Sequence, residues 1–427
     1  MNNADSMQVS ALLEHLGYQP SPTATEADVI VLNTCVVRQS AEDKAIGRLT
    51  SLKAIKAERP EVVINLMGCL VGMNVPDELR KRFPYVDVFS PPSDVEPLSS
   101  FLTHDSKHQL ALDKNQVNQI LLKEKRYQLP ASQQGKAVTA FVPIVYGCSH
   151  ACTYCVIPLR RGQEQSRPVE EILSEVRHLA SQGVREVTLL GQIVDRYGLD
   201  LPDKPNLSQL LELVHQIDGL ERIRFLTSHP LWITEDLLES VTSLPKLMPH
   251  FELPIQSGDD EILRRMRRGY TVERFMQIVE KIRTRIPESS IATDLIVGFP
   301  GESRAQFENT LSLLNHFKPD MTHVARYSSR PGTYASCELT DDVPAEEKMH
   351  RFRQIEQAQQ IITTEINHVY LNQKVSVLFE DKAKNRWHGR TPTNKLVFVE
   401  SERDLLGEVA DVYILWAGPW SMIGSVQ

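Results

Sequence analysis

Hydrophobic positions recur along this chain in two alternating patterns, helical spacing and short apolar runs. Between Ala4 and Leu16 the apolar residues Val9, Leu12, Leu13 and Leu16 fall at helical spacing, and Gly17 supplies a stop. Asp28–Asn33 (DVIVLN) is a short apolar run of the kind that forms a buried parallel strand. A helix follows from about 40 to 56, then further strands at Val62–Met67 and Val86–Phe89. These elements predict a small parallel α/β domain over residues 1–98. It opens on a helix where such a unit would normally supply a strand, which predicts that a strand and its loop precede this start.

From 99 to 135 the pattern loosens into a polar stretch that reads as a linker. Strands are then predicted near 138–146, 186–191, 222–227, 249–255, 290–297 and 321–328. Helical patterns lie between them at about 169–182, 207–217, 233–243, 260–285 and 303–317. Six strands alternating with helices predict a partial (β/α)6, TIM-like barrel, with chemistry at the C-terminal strand ends. A long helix from Ala345 to Val369 closes this domain, placed at 136–368. The segment 369–427 carries the short strands QKVSVLFE, KLVFVE and GEVADVYILWAG, which predict a small β-barrel of a type that often binds nucleic acid.

Composition changes this picture little. The chain has 427 residues, 41% hydrophobic and 24% charged, values of a globular protein with more than one domain. There is no signal-like N-terminus and no run of 18 apolar residues, so a cytoplasmic location without membrane attachment is expected. The net charge of −8 neither supports nor excludes a nucleic-acid partner, because phosphate binding depends on local patches. Six cysteines are too few for a disulfide framework in so long a chain, so clustered ones are better read as metal ligands.

Three of them do cluster. Cys148, Cys152 and Cys155 stand in a Cys-x3-Cys-x2-Cys spacing just after the first barrel strand. Three soft thiolates on one loop suit an iron-sulfur cluster that leaves one iron free of protein. A zinc site would more often use paired Cys-x2-Cys hooks and a fourth ligand. Other polar or glycine residues share that barrel edge: Gly191 and Gln192, Ser228 and His229, Gln256 and Ser257, Gly298 and Glu302, Tyr327 and Arg330. Their joint placement predicts a cofactor pocket, with Tyr154, Gln192, Ser228, Gln256 and Glu302 as its candidate contacts.

Cys35 and Cys69 each follow a strand of the first domain, where ligand sites form in open parallel sheets; buried structural thiols are the alternative. Cys337 matches no site. In the last domain, Lys382–Lys395 (KAKNRWHGRTPTNK) has five basic residues, no acidic one, and an aromatic among them. Arg386, Trp387, Arg390 and Lys395 are the candidate RNA contacts, since cations attract phosphate and rings stack on unpaired bases. A solvated hairpin would have the same composition. Arg264, Arg265, Arg267 and Arg268 form a second basic group, which a solvated helix face would also explain.

The cysteine loop with Tyr154 resembles the signature of radical S-adenosylmethionine enzymes, in which the fourth iron of a 4Fe-4S cluster chelates the cofactor. More narrowly, AFVPIVYGC, CTYCVIPLRRGQEQSRP, VTLLGQ, LPIQSGDDEILRRMRRGYT, DLIVGFPGE, RYSSRPGT and GRTPTNKLVFV are similar to the methylthiotransferase family, MiaB type. The resemblance spans essentially the whole chain. It implies an auxiliary 4Fe-4S cluster in the first domain, a radical barrel, and a C-terminal TRAM domain that grips transfer RNA. An electron-donating reductant and a monomeric chain are also expected.

Cys148, Cys152 and Cys155 would hold the radical cluster. Cys35 and Cys69 would be the second and third ligands of the auxiliary one; the family's first ligand lies in GCQMN, and would fall two residues before Met1. The implied reaction reduces S-adenosylmethionine to a 5′-deoxyadenosyl radical and places a methylthio group on C2 of N6-isopentenyladenosine at position 37, in the anticodon loop. Sulfur would come from the auxiliary cluster and the methyl group from a second S-adenosylmethionine. Branches that modify a ribosomal-protein aspartate or threonylcarbamoyladenosine are the rival substrates, and a transfer-RNA-binding protein with an incomplete auxiliary cluster is the rival class. Tyr146, where the family often has Glu, and Ile193, where it often has Asn, depart from the pattern.

Overall fold

Val63–Gly68 is buried along its whole length, and the first unit of the fold is built around it. The computed structural model describes residues 1–104 and 129–426. They form two units, one comprising Met1–Gln134, Tyr146–His150 and Cys155–Gln165, the other Gly135–Val145, Ala151–Tyr154 and the chain from Ser166 onward. In the first, strands β1 (Val29–Thr34), β2 (Val63–Gly68) and β3 (Val88–Ser90) make a parallel sheet in that order. Alternation along β2 sends Ile64 and Leu66 to a core with Leu49 and Leu52 of helix α2 (Gln39–Glu58). Val63 and Met67 face the opposite core, with Leu12 and Leu16 at the end of helix α1 (Asn2–His15).

The first part of the expected linker is helical. Leu98 and Leu102 lie one turn apart on helix α3 (Glu96–His104) and are fully buried, so burial there outweighs the polar composition. Leu129 and Pro130 are also buried, and a short 3₁₀ turn follows at Ala131–Gln133. The rest of that stretch, 105–128, lies outside the described residues.

In the second unit the six expected strands are present: β4 (Thr139–Pro143), β5 (Glu186–Leu190), β6 (Arg222–Leu226), β7 (His250–Glu252), β8 (Ser290–Val297) and β9 (Met321–Arg326). They pair in parallel as β4-β5-β6 and β7-β8-β9. Backbone bonds from Met248 to Ile223 (3.0 Å) and from Ser228 to Glu252 (3.0 Å) join the two sheets into one arc. All six strands therefore point the same way, and their C-terminal ends share one edge.

One expected helix is broken. The pattern over 260–285 predicts a single element, but the structure has two, Asp260–Arg265 and Val272–Arg285. Arg267 and Gly269 take left-handed conformations (φ 56° and 77°), which a helix cannot contain. Thr271 then caps the second helix through its side chain. An uninterrupted apolar period does not reveal such a break.

The C-terminal segment is a closed barrel of five strands, β10 (Lys374–Ala383), β11 (Arg386–Arg390), β12 (Leu396–Val399), β13 (Val409–Ala417) and β14 (Met422–Val426), in the order β10-β11-β12-β14-β13. The sequence pattern displays three of these; β11 lies inside the basic stretch and β14 is short. The turn after β11 docks against the N-terminal ends of the larger barrel. Arg224 donates to the carbonyls of Thr391 and Pro392 (both 2.8 Å) and to Glu186 (2.9 Å), with both charged groups buried. Lys395 pairs with Asp320 at 2.7 Å, and Ser290 donates to the Thr393 carbonyl at 2.9 Å.

Breaking a buried pair by removing one partner leaves an uncompensated charge. Arg224→Met is expected to lower the unfolding free energy by about 3–5 kcal/mol, read by chemical denaturation. A loss comparable to that of a surface ion pair, below about 1 kcal/mol, would show that this pair does not secure the docked turn.

Candidate active site at the strand ends

The cysteine loop begins with a backbone constraint. Gly147 has φ 63°, and a Cβ there would lie 2.1 Å from the Gln163 carbonyl oxygen, so only glycine fits the turn. Cys148 donates its backbone N–H to Gly162 (3.1 Å), and the Cys148 sulfur accepts from the N–H of His150 at 3.4 Å. Glu164 N–H reaches Ser149 Oγ at 3.1 Å. These bonds fix one flank of the loop within the first unit.

The middle of the loop belongs to the second unit, and the unexpected helix break holds it. Thr153 donates its N–H to the Met266 carbonyl (3.1 Å) and its hydroxyl to the Arg265 carbonyl (2.9 Å), while its own carbonyl accepts from Ala335 (2.8 Å). Arg268 places Nη1 3.2 Å from the Cys152 sulfur. Its Nε reaches Tyr270 Oη at 3.0 Å and its Nη2 the Pro254 carbonyl at 3.1 Å. Tyr154 packs beside Met266, Phe299 and Tyr327. The four-arginine group is thus not one solvated face: Arg264 is exposed and pairs with Glu261, Arg267 covers Tyr334, and Arg268 is buried.

The other strand ends carry the candidates from the same edge. Ser228 and His229 follow β6, and both bond a residue the sequence reading did not single out. Asp195 accepts from the Ser228 hydroxyl at 2.9 Å and from the His229 N–H at 2.6 Å. Burial pushes this carboxyl from the ordinary 3.8 up to about 7, against those two donors. No sequence signal marks it, because one acidic residue in GQIVDRYG is unremarkable. Glu252 at the end of β7 is likewise pushed up to about 7, first by burial and then by the neighbouring Asp294 carboxylate.

Gln256 is buried with φ 78° and leaves its Oε1 without a hydrogen bond. Thr227, at the end of β6, is also left-handed (φ 74°). Two non-glycine residues in that conformation at adjacent strand ends are strained positions of the kind that collect at binding sites. Glu302 accepts from Gly298 N–H at 2.6 Å and from Arg351 Nη1 at 2.7 Å, so one carboxylate oxygen fastens the loop after β8 while Oε1 has no partner. Gln192 is half-buried beside them in sequence order, after β5.

In the first unit Cys35 is half-buried and Cys69 buried, at the ends of neighbouring strands β1 and β2. Gly68 must be glycine: φ is 98°, and a Cβ would meet the Thr34 carbonyl oxygen at 2.6 Å. The Cys69 sulfur accepts from Arg161 Nε at 3.3 Å, and Arg161 also reaches Asn2 Oδ1 (2.9 Å) and Asp5 Oδ2 (3.4 Å). Burial raises the Cys69 thiol while Arg161 opposes that rise. Arg161 and Asp5 also escape a sequence reading, since a buried pair 156 residues apart has no local pattern.

None of the six cysteines forms a disulfide, and among the described residues no three His, Cys, Asp or Glu side chains close around one point. The donor set nevertheless fits an iron-sulfur cluster. The loop offers three thiols, and a buried guanidinium faces one of them, as the net negative charge of a thiolate-bound cluster requires.

Of the four expected RNA contacts, Trp387 and Lys395 are buried. Trp387 lies in the core of the small barrel with Val397 and Val412, its Nε1 bonded to the Ser401 carbonyl at 3.2 Å, so its ring faces are already covered. Lys395 is buried against Asp320, and Arg390 bonds Asn394 beside Glu380. Arg386, paired with Glu400, is exposed, and Arg390 is partly exposed. Lys395 is used in the docked turn, while Lys382, Lys384 and Arg386 stay exposed. Cys337 is exposed on the short helix Tyr334–Glu338.

Family models match the Radical SAM superfamily over residues 142–314, an uncharacterised protein family, UPF0004, over 1–90, and the TRAM domain over 368–426. A tRNA-2-methylthio-N(6)-dimethylallyladenosine synthase of Herpetosiphon aurantiacus is 46% identical over 100% of this chain and 95% of its own length. The chain belongs to that synthase family. A second member, from Roseiflexus sp., is 44% identical across 99% of this chain and 87% of its own. Among solved structures, the radical S-adenosylmethionine methyltransferase TsrM of Kitasatospora setae shares the fold, with a TM-score of 0.53 at 13% identity over 77% of this chain and 68% of its own. The α/β architecture with a small C-terminal barrel agrees with these matches. Among the described residues no helix is long and apolar enough to cross a membrane.

The raised Asp195 carboxyl gives a pH signature. Between pH about 4 and 7 the folded protein keeps a proton there that the unfolded chain has released, so stability falls as pH rises through that window and levels above about 7. Asp195→Asn removes the titration. Its melting temperature should therefore gain on that of the parent from pH 4 to 7 and then hold steady, while a pH-independent difference would refute the assignment.

Proposed function

We propose that this chain is a radical S-adenosylmethionine methylthiotransferase that acts on C2 of N6-isopentenyladenosine at position 37 of transfer RNA. The observation that carries the reading is the Cys148, Cys152 and Cys155 spacing that follows the first strand of a parallel half-barrel, in a chain matched end to end by relatives named for that modification. The ribosomal-protein and threonylcarbamoyladenosine substrates receive no such support.

In this reading Cys148, Cys152 and Cys155 hold one 4Fe-4S cluster, and Cys35 and Cys69 contribute to a second. When bound, the first supplies the electron that cleaves S-adenosylmethionine, chemistry that no side chain provides. The protein's own contribution is placement. Tyr154, Gln192, Ser228, Gln256 and Glu302 line the edge where S-adenosylmethionine would bind, and the unpartnered Gln256 and Glu302 oxygens are acceptors suited to its amino group or ribose hydroxyls. Ser228 and His229 are kept in position by Asp195.

An anticodon-loop base is unpaired and can be splayed into such a pocket at small cost. The small barrel supports RNA binding through its TRAM match, with Arg386 the cation best placed to meet a phosphate. The remaining parts of the reading are a cytoplasmic location, an external reductant, a monomeric chain, and domains at 1–98, 136–368 and 369–427 joined by 99–135.

Transfer RNA from a strain lacking the gene should contain N6-isopentenyladenosine without its methylthio group, measured by nucleoside mass spectrometry. Persistence of the methylthiolated nucleoside in a strain with no second such enzyme would overturn the substrate. In protein extended upstream to include the family's first ligand, anaerobic reconstitution should give about eight irons per chain for two clusters, and a value near four would remove the second.

A further inference from the structure

The guanidinium of Arg268 is 5% exposed and bonds three acceptors, none of them a carboxylate: a tyrosine hydroxyl, a backbone carbonyl and the Cys152 sulfur. The groups that face its charge are Tyr154, Tyr270 and Cys152. Arginine stays protonated in proteins, and a buried cation without a counter-ion is costly. A neutral thiol and a phenol do not balance it; a thiolate-ligated cluster does.

Its position is also strictly determined. The residue follows the left-handed Arg267 and precedes Gly269, and its backbone N–H bonds Leu263 at 3.0 Å. The same short segment holds Thr153, next to Cys152, through two hydrogen bonds. A helix running straight through 260–285 would make neither contact. Tyr270 Oη, which accepts from Arg268 Nε, is in turn bonded to the carbonyls of Pro254 and Ile255, so the guanidinium plane has a rigid backing.

We propose that Arg268 is a positioning residue for the cluster on Cys148, Cys152 and Cys155, and that its N–H···S bond and charge set how readily that cluster accepts its electron. The inference rests on the cluster assignment above. Hydrogen bonds to ligand sulfurs and nearby charge are among the terms that set a cluster's potential, and a donor cation stabilises the reduced, more negative state. Arg268 acts through Cys152 and need not touch substrate.

The test uses full-length protein carrying Cys35→Ala and Cys69→Ala, so that a single cluster remains, reconstituted anaerobically and titrated with dithionite under EPR. The parent should hold about four irons. Arg268→Lys keeps charge but loses the fork, Arg268→Gln keeps a donor but loses charge, and Arg268→Met loses both. Midpoint potentials should fall in that order, with the Met variant at least tenfold harder to reduce, about 59 mV for one electron.

Unchanged potentials in iron-loaded Lys, Gln and Met variants would overturn the proposal, even if their melting temperatures fell, because a purely structural role would move stability alone. Should the Met variant fail to load iron, the Lys and Gln variants decide: a lowered potential with normal iron supports the role, and parental potentials in both refute it. A parent that binds no iron would instead defeat the cluster assignment itself, and the inference with it.

Discussion

A charge that water cannot reach needs a partner, and the buried Arg268 guanidinium beside the Cys152 sulfur is where that requirement bears on the cysteine loop. The arginine is buried because the helix around it stops at Arg265 and restarts at Val272. The break frees the Arg265 and Met266 carbonyls, which then accept from Thr153. The interruption of one helix and the placement of the central cysteine are therefore a single structural event. Around it, a parallel arc of strands brings Asp195, Ser228, Gln256 and Glu302 to the same edge, since parallel strands end together.

The first unit repeats the device. Arg161 is buried with its Nε at the Cys69 sulfur, and it is balanced by Asp5 and held by Asn2. In both places a guanidinium serves better than an ammonium, because its planar fork can bond a soft sulfur and two oxygen acceptors at once. A neighbouring guanidinium favours the thiolate form of a cysteine, while burial opposes it.

The small barrel shows the opposite use of cations. Lys395 and the turn after β11 meet Asp320, Ser290 and Arg224 at the N-terminal ends of the strands. One residue of the basic stretch, Lys395, is used to fasten one barrel under another. Phosphate and carboxylate attract a lysine by the same physics, and only burial distinguishes the two roles.

The sequence alone determined the element types, the six-strand arc, the cysteine loop and the family, because each is written in local periods or fixed spacings. Val63–Gly68 is apolar enough to be a central strand, and Cys-x3-Cys-x2-Cys needs no third dimension to suggest a cluster. Tertiary structure decided what periodicity cannot encode. It buried Trp387 in a core, hid Arg268 while exposing Arg264, ended a helix at two left-handed residues, and lifted Asp195 toward neutrality. These outcomes depend on which groups, distant in sequence, exclude water from one another, and solvent exclusion sets the energy of a charge more strongly than its neighbours along the chain.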